Sequence, residues 1–409
     1  MLSGKIKLGG DKSISHRVVI FASIANDIST IKNISNSTDV NRTIQILRDC
    51  GVQIQKNKDK LIIKGTSSFY SKKEKFYCGN SGTTARLMLG FLPSRGVSGI
   101  LYGDKSLSKR PMDRIIAPLK QMNIKLSAPK ETLPVRFKKS IANPINYTLK
   151  IPSAQVKSSI ILAAISLDTK STIKDPFNTR DHTERLINFL NYKNTFYKKF
   201  KIDGFNYTVP GDTSSAAFLI TAGILTPKSN ITIKNILFNN TRTGYIRVLK
   251  KMGAKIRISN KKIIQNEPIC DINVKYTSKL KAINLDKNDV IAMIDEIPIF
   301  SLVCAYSIGT STINGAKELR YKESDRIHAI VYNFNKLKVN IKEFNDGFSI
   351  TGPNKLYSTS INNFNDHRIA LLGETIKIIN NKPLSKDFKT KTLIKTSFPE
   401  FYNIVGDLR

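Results

Sequence analysis

The feature that most narrows the folds open to this chain is a repeat. An amphipathic helix runs into a short turn and then into a β-rich pair at residues 47–65, 119–138, 249–267 and 334–352. A weaker copy spans residues 186–211, and a degenerate sixth is expected after Ile379. The alternations V-Q-I, I-K-L, A-K-I and V-N-I mark half-buried strands, and Gly51 and Gly253 stand where a helix closes on a left-handed residue. Six units in 409 residues is one about every 68, too long for a helical solenoid repeat and suited to a small β–α unit. Each amphipathic helix needs a sheet to cover, so an α/β chain of two globular halves with three units each is expected.

Helices are expected at residues 15–25, 39–50, 83–92, 112–122, 156–166, 182–190, 213–224, 243–252, 297–308, 323–337 and 367–379. Several open on a small or Gly-rich turn carrying a cation, and a helix start presents free backbone N–H groups to an anion. Gly9-Gly10-Asp11-Lys12-Ser13 leads into the first, where Ser13 and Arg17 share a face; the spacing is not that of a P-loop. Asn80 and Gly82 occupy a second such turn, with Arg86 close behind. Arg110 precedes Pro111, read as the first residue of a helix, so that Arg110 points from its mouth. Ser153, Ala154 and Gln155 begin another helix with neutral donors. Asp181 and Glu184 fit a capping box, which leaves Arg180 as the ligand candidate.

In the second half, Asp295 and Glu296 directly precede an apolar helix, and Arg368 follows the cap Asp366. Lys322 and Arg326 lie at i and i+4 on one helix face with Glu323 beside them. Taken singly, each segment is equally a capped turn, a solvated basic pair or a surface salt-bridge ladder. His16, His182 and His328 read as structural. At least six helix starts of this kind in one chain imply a pocket for several anionic groups at once.

Charge agrees with that reading without proving it. Lys and Arg number 66 against 31 Asp and Glu, a formal +35. Such a surplus suits anionic small molecules, nucleic acid or an anionic membrane face, and equally a lysine-rich composition with no partner. No apolar run approaches the roughly 18 residues of a membrane span, and the first residues show no secretory apolar core. The four scattered cysteines point to neither a zinc site nor a disulfide framework, and fit a reducing cytosol.

Nine ordered segments then carry a resemblance: G-G-D-K-S-I-S-H-R, G-N-S-G-T-T-A-R-L, K-R-P-M-D-R, P-S-A-Q-V-K-S, R-D-H-T-E, V-P-G-D-T-S-S-A-A-F, I-D-E-I-P-I-F, L-R-Y-K-E-S-D-R-I and D-H-R-I-A-L. Together they resemble the 5-enolpyruvylshikimate-3-phosphate (EPSP) synthase family over nearly the whole chain. The resemblance implies the two-domain enolpyruvyl transferase fold, inside-out and α/β barrel-like, with six βαβαββ-type repeats, three per domain. It implies a discontinuous domain of residues 1–12 plus 226–409 carrying the acid/base residues. A continuous domain of residues 13–225 would carry most shikimate 3-phosphate contacts.

Carried over by motif, Lys12, Ser13, Arg17, Ser153, Ala154, Gln155 and Arg180 would hold shikimate 3-phosphate, with Asp295 and Lys322. Lys12, Asn80, Gly82, Arg110, Gln155, Arg326 and Arg368 would surround phosphoenolpyruvate. Asp295 would be the base for the 5-hydroxyl, Glu323 the proton partner at the enol methylene, and Lys322 the bridge to both substrates. The implied reaction transfers the enolpyruvyl group by addition and elimination, without metal or organic cofactor. A cytoplasmic monomer with no nucleic-acid or membrane partner is expected.

Two departures and two rivals stand beside this. Lys395 is followed by Thr396-Ser397-Phe398-Pro399, one residue longer than the common run, and Glu318 stands where some members have an amide. UDP-N-acetylglucosamine enolpyruvyl transferases share the fold but carry a reactive cysteine on the loop matching residues 104–111, which has none here. A basic RNA-binding protein would interleave aromatic and basic residues on exposed strands, as residues 196–200 faintly do.

Overall fold

Helices of two kinds build the molecule. Thr213–Leu225 is buried at every position, and Ile297–Tyr306 and His367–Ile379 at nearly every one. A helix with no polar face cannot lie on a surface, so these three pack on one another. Lys12–Ser23, Gly82–Ser94 and Ala154–Ala164 are likewise buried along most of their length. Thr38–Asp49, Asp113–Gln121, His182–Phe189, Gly244–Lys251 and Arg326–Lys336 each bury one stripe only.

The computed structural model describes residues 1–57, 60–192, 195–356 and 360–409. They form two compact units, Met1–Gly9 with Pro210–Arg409, and Gly10–Val209. The chain therefore crosses at 9/10 and 209/210, not at 12/13 and 225/226 as the motifs suggested. The reason is the helix Thr213–Leu225: its apolar residues belong to the core of the unit that holds Ile297–Tyr306 and His367–Ile379.

Among the described residues, four four-stranded sheets share one plan: a parallel pair, then two antiparallel neighbours. In Gly10–Val209 these are Asn206–Thr208, Ile28–Lys32, Lys60–Lys64, Gln53–Asn57, and Lys75–Tyr77, Gly99–Tyr102, Val135–Phe137, Leu126–Ser127. In the other unit Ser3–Lys7, Asn230–Leu237, Glu267–Lys275, Ile256–Ile264 and Asn284–Leu285, Gly309–Ile313, Gly347–Gly352, Asn340–Phe344 repeat it. A fifth sheet has only Asn146–Thr148 and Thr172–Lys174. The weak copy at 186–211 gives its strand Asn206–Thr208 to the sheet of Ile28–Lys32. After Ile379 the described residues form the helices Phe388–Lys395 and Phe401–Leu408 and no strand, so the expected sixth copy is helical there.

At the first crossing Gly10 is a packing requirement, and Gly9 lies tightly against a glutamate side chain. A Cβ on Gly10 would lie 1.9 Å from the Asn33 carbonyl oxygen, and one on Gly9 would lie 2.3 Å from Glu400 Oε1. The Gly9 N–H donates to that same Glu400 oxygen at 2.8 Å, so it is already committed inside its own unit.

Candidate active site

The sequence-predicted residues divide between the units. In Gly10–Val209 Lys12, Ser13, Gly82, Ser153, Ala154 and Gln155 lie at the starts of the three inner helices. Asp11 caps the first by accepting from the Ile14 N–H, and Lys12 Nζ lies 2.9 Å from Asp39 Oδ2. Gly82 opens the second helix behind the cap Ser81. Asn80 accepts from the Arg110 guanidinium and donates to Asp104 at 2.7 Å. Ser153 caps the third helix, where Gln155 accepts from Arg86 at 2.6 Å and donates to Thr83 at 3.0 Å. Cations thus stand beside uncharged donors at all three helix starts, an arrangement suited to phosphate and carboxylate oxygens.

Arg17 lies on the same helix face as Ser13, as its spacing suggests, and is buried. It is 3% exposed and donates to Thr183 at 2.7 Å, to Ser158 at 2.7 Å and to the Ser13 carbonyl at 2.9 Å. It ties the helices Lys12–Ser23, Ala154–Ala164 and His182–Phe189 together. Arg110 does not lie at a helix mouth: the helix starts at Asp113, and Arg110 follows a 3-10 turn, Leu107–Lys109. The capping box is absent as well. Asp181 pairs with Arg185 at 2.9 Å, and Glu184 is drawn to Lys157 Nζ at 2.6 Å, because a buried ammonium outcompetes a backbone N–H for a carboxylate.

His16 is structural, and measurably so. Its Nδ1 lies 2.7 Å from the Thr43 hydroxyl, which lies 2.9 Å from that of Thr84. Burial pushes the imidazole well below its ordinary range, and Lys12 and Arg17 add to this. The unfolded chain, titrating near ~6.5, then takes up the proton first. Stability attributable to His16 is therefore lost as pH falls below about 6.5 and continues to fall toward the depressed native value, by up to ~1.4 kcal/mol per pH unit. Thermal midpoints between about pH 7.5 and 5.5 should decline less steeply in His16→Gln than in the native chain; parallel curves would contradict this account.

In the other unit the carboxylate Asp295 is surrounded by three cations. Lys322 Nζ is 3.5 Å away, Arg326 NH1 3.6 Å and Arg368 NH2 3.9 Å. Two of these have their own carboxylates. Arg326 donates to Asp366 at 2.8 Å and to Glu323 at 2.6 Å, while Arg368 NH1 lies 3.7 Å from Glu296. Burial would lower the Arg326 pKa, but Asp366, Glu323 and Asp295 raise it further than burial lowers it. Burial likewise opposes ionisation of Asp366, and Arg326 prevails, holding that carboxyl below the usual range. The helix begins at Arg326 behind the cap Asp325, so Lys322 and Arg326 do not share a helical face. Backbone extension at Lys322 brings the two cations together from different local structures.

A model of the family described as EPSP synthase (3-phosphoshikimate 1-carboxyvinyltransferase) matches residues 1–405. A protein of that latter name from Endomicrobium trichonymphae is 41% identical over 426 positions, covering 100% of this chain and 97% of its own length. Another from Persephonella marina is 37% identical over 415 positions, covering 98% of this chain and 96% of its own. The solved EPSP synthase from Acinetobacter baumannii superposes with a TM-score of 0.84 at 33% identity, over 100% of this chain and 96% of that one. The chain belongs to the EPSP synthase family. The enolpyruvyl transferase NikO from Streptomyces tendae, at 14% identity and a TM-score of 0.74, shares the two-domain α/β fold.

Membership makes the chain a transferase of the shikimate pathway, with 3-phosphoshikimate 1-carboxyvinyl transfer as its reaction. Two side chains outside the predicted set matter to the geometry. Arg86 was noticed only as a neighbour, yet it orients Gln155. Glu296 stands at the N-cap of Ile297–Tyr306 without a side-chain capping bond; it is 1% exposed and accepts from Ser214 beside Arg368. A Cβ on Gly82 would lie 3.0 Å from Arg86 NH1 and 3.3 Å from Arg110 NH1, so glycine leaves these cations room. Lys395 is exposed at the end of its helix. Among the described residues no helix is long and apolar enough to cross a membrane, and no three His, Cys, Asp or Glu side chains are grouped to hold a metal.

Proposed function

We infer that the named side chains divide the family reaction as follows. Asp295 takes the proton from the 5-hydroxyl of shikimate 3-phosphate as that oxygen attacks C2 of phosphoenolpyruvate. Glu323 manages the proton at the enol methylene, which becomes a methyl group in a tetrahedral, phosphate-bearing intermediate. Loss of a methyl proton and departure of phosphate then regenerate the enol ether. Lys322 bridges both substrates, while Arg326 and Arg368 neutralise phosphoenolpyruvate. Lys12, Asn80, Gly82, Arg110 and Gln155 also serve that substrate. Lys12, Ser13, Arg17, Ser153, Ala154, Gln155 and Arg180 serve shikimate 3-phosphate. The enzyme works as a cytoplasmic monomer.

The observation that carries this assignment is the ring about Asp295. Three cations stand 3.5–3.9 Å from its oxygens, while Arg326 makes its shorter contacts to Asp366 and Glu323. A carboxylate set among three cations is a proton acceptor placed where anionic substrates are held, which is what a general base for their hydroxyl needs. The substrates bring two carboxylates and two phosphates, which repel unless cations are dense. Purified protein given shikimate 3-phosphate and phosphoenolpyruvate should release inorganic phosphate. No release above background with that pair, while UDP-N-acetylglucosamine supports it, would overturn the assignment.

A further inference from the structure

The sequence motif P-S-A-Q-V-K-S contains a lysine to which the assignments above give no part. Lys157 is 4% exposed, in the first turns of the inner helix Ala154–Ala164. Its Nζ donates to Asp175 at 2.8 Å and to the Thr179 carbonyl at 3.4 Å, and lies 2.6 Å from Glu184. Three acceptors match the three donors of an ammonium group. Asp175 in turn organises the segment that follows it. One of its oxygens accepts from the Thr179 N–H at 2.9 Å and the Thr179 hydroxyl at 2.6 Å, the other from the Phe177 N–H at 3.0 Å. Lys157 thus fixes both sides of Arg180: Asp175 and Thr179 before it, Glu184 after it.

We propose that Lys157 is the positioning residue that holds Arg180 in place, and through it sets the affinity for shikimate 3-phosphate. This rests on the reading of Arg180 as a ligand of that substrate. The chemistry is that of a buried hub. A cation shared by two carboxylates removes their mutual repulsion and fixes the turn they build. The direction of ionisation agrees: burial opposes the charge on Lys157, but Glu184 and Asp175 outweigh it and raise its pKa. No substrate atom need touch Lys157. Its bonds fall on the segment 175–184 that carries Arg180, so its loss should weigh on the substrate that Arg180 serves.

The test compares Lys157→Met, the double variant Lys157→Met/Glu184→Gln, and Arg180→Ala with the native enzyme. The double variant relieves the uncompensated carboxylates if the single one does not fold. Arg180→Ala and whichever Lys157 variant folds should each raise KM for shikimate 3-phosphate about tenfold, with KM for phosphoenolpyruvate unchanged within about twofold. If Arg180→Ala has that effect and a folded Lys157 variant does not, the positioning role is wrong. Equal rises in both KM values, or a lower thermal midpoint with neither KM moved, would make Lys157 a purely structural group and overturn the proposal. If Arg180→Ala itself leaves KM for shikimate 3-phosphate unchanged, the underlying reading of Arg180 fails, and this proposal with it.

Discussion

Replacing Asp295 by Asn should lower kcat by about 10²–10⁴-fold while leaving both substrates bound. An amide cannot take the 5-hydroxyl proton, and the three groups named about it, Lys322, Arg326 and Arg368, are cations. The sign of the binding effect is also fixed. Asparagine removes one negative charge from among those three cations, so affinity for anionic substrates should hold or increase. Single-turnover rates and equilibrium titrations with each substrate separate the two effects. A variant within about threefold of the native kcat would show that the base is wrongly named.

Arg326→Met should be the most damaging single change to stability. The guanidinium is 1% exposed and pairs with Asp366, which is fully buried, and with Glu323, with Asp295 3.6 Å away. Asp366 also caps the helix His367–Ile379 by accepting the Arg368 N–H at 2.8 Å. Methionine fills the volume but leaves three carboxylates without their shared cation, a loss of roughly 3–5 kcal/mol. In a unit of this size that lowers the thermal midpoint on the order of 10 °C. Arg326→Lys restores a charge but cannot reach Asp366 and Glu323 with a planar fork, so it should recover only part. A midpoint for Arg326→Met within about 2 °C of the native value would refute this account.

How much of this was legible beforehand differs from element to element. The repeat at 47–65, 119–138, 249–267 and 334–352 reappears as four sheets of one strand plan, because alternation and glycine turns are local signals. The inner helices were readable as apolar runs, within a few residues at each end. The tail after Ile379 was not: Phe388–Lys395 buries Ile394 alone, and the helical spacing of Phe401, Ile404, Val405 and Leu408 fills only two turns. Local capping logic failed where a buried cation competed for the same carboxylate, as Lys157 does for Glu184. It failed again at Lys322, whose apparent i, i+4 spacing to Arg326 spans a helix start.

By itself the sequence determined the α/β class, the repeat and the family, since these depend on residue types and spacing along the chain. Tertiary structure alone decided where the chain crosses between units, because Thr213–Leu225 follows its apolar partners. It also decided which charges are committed. Arg17, Lys157 and Arg326 look alike on the page as basic residues of polar motifs, yet all three are buried and tied to side chains distant in sequence. Lys322 remains half-buried beside Asp295. A charge's partner is set by distance in space and by the loss of water around it, and neither is written in the order of residues.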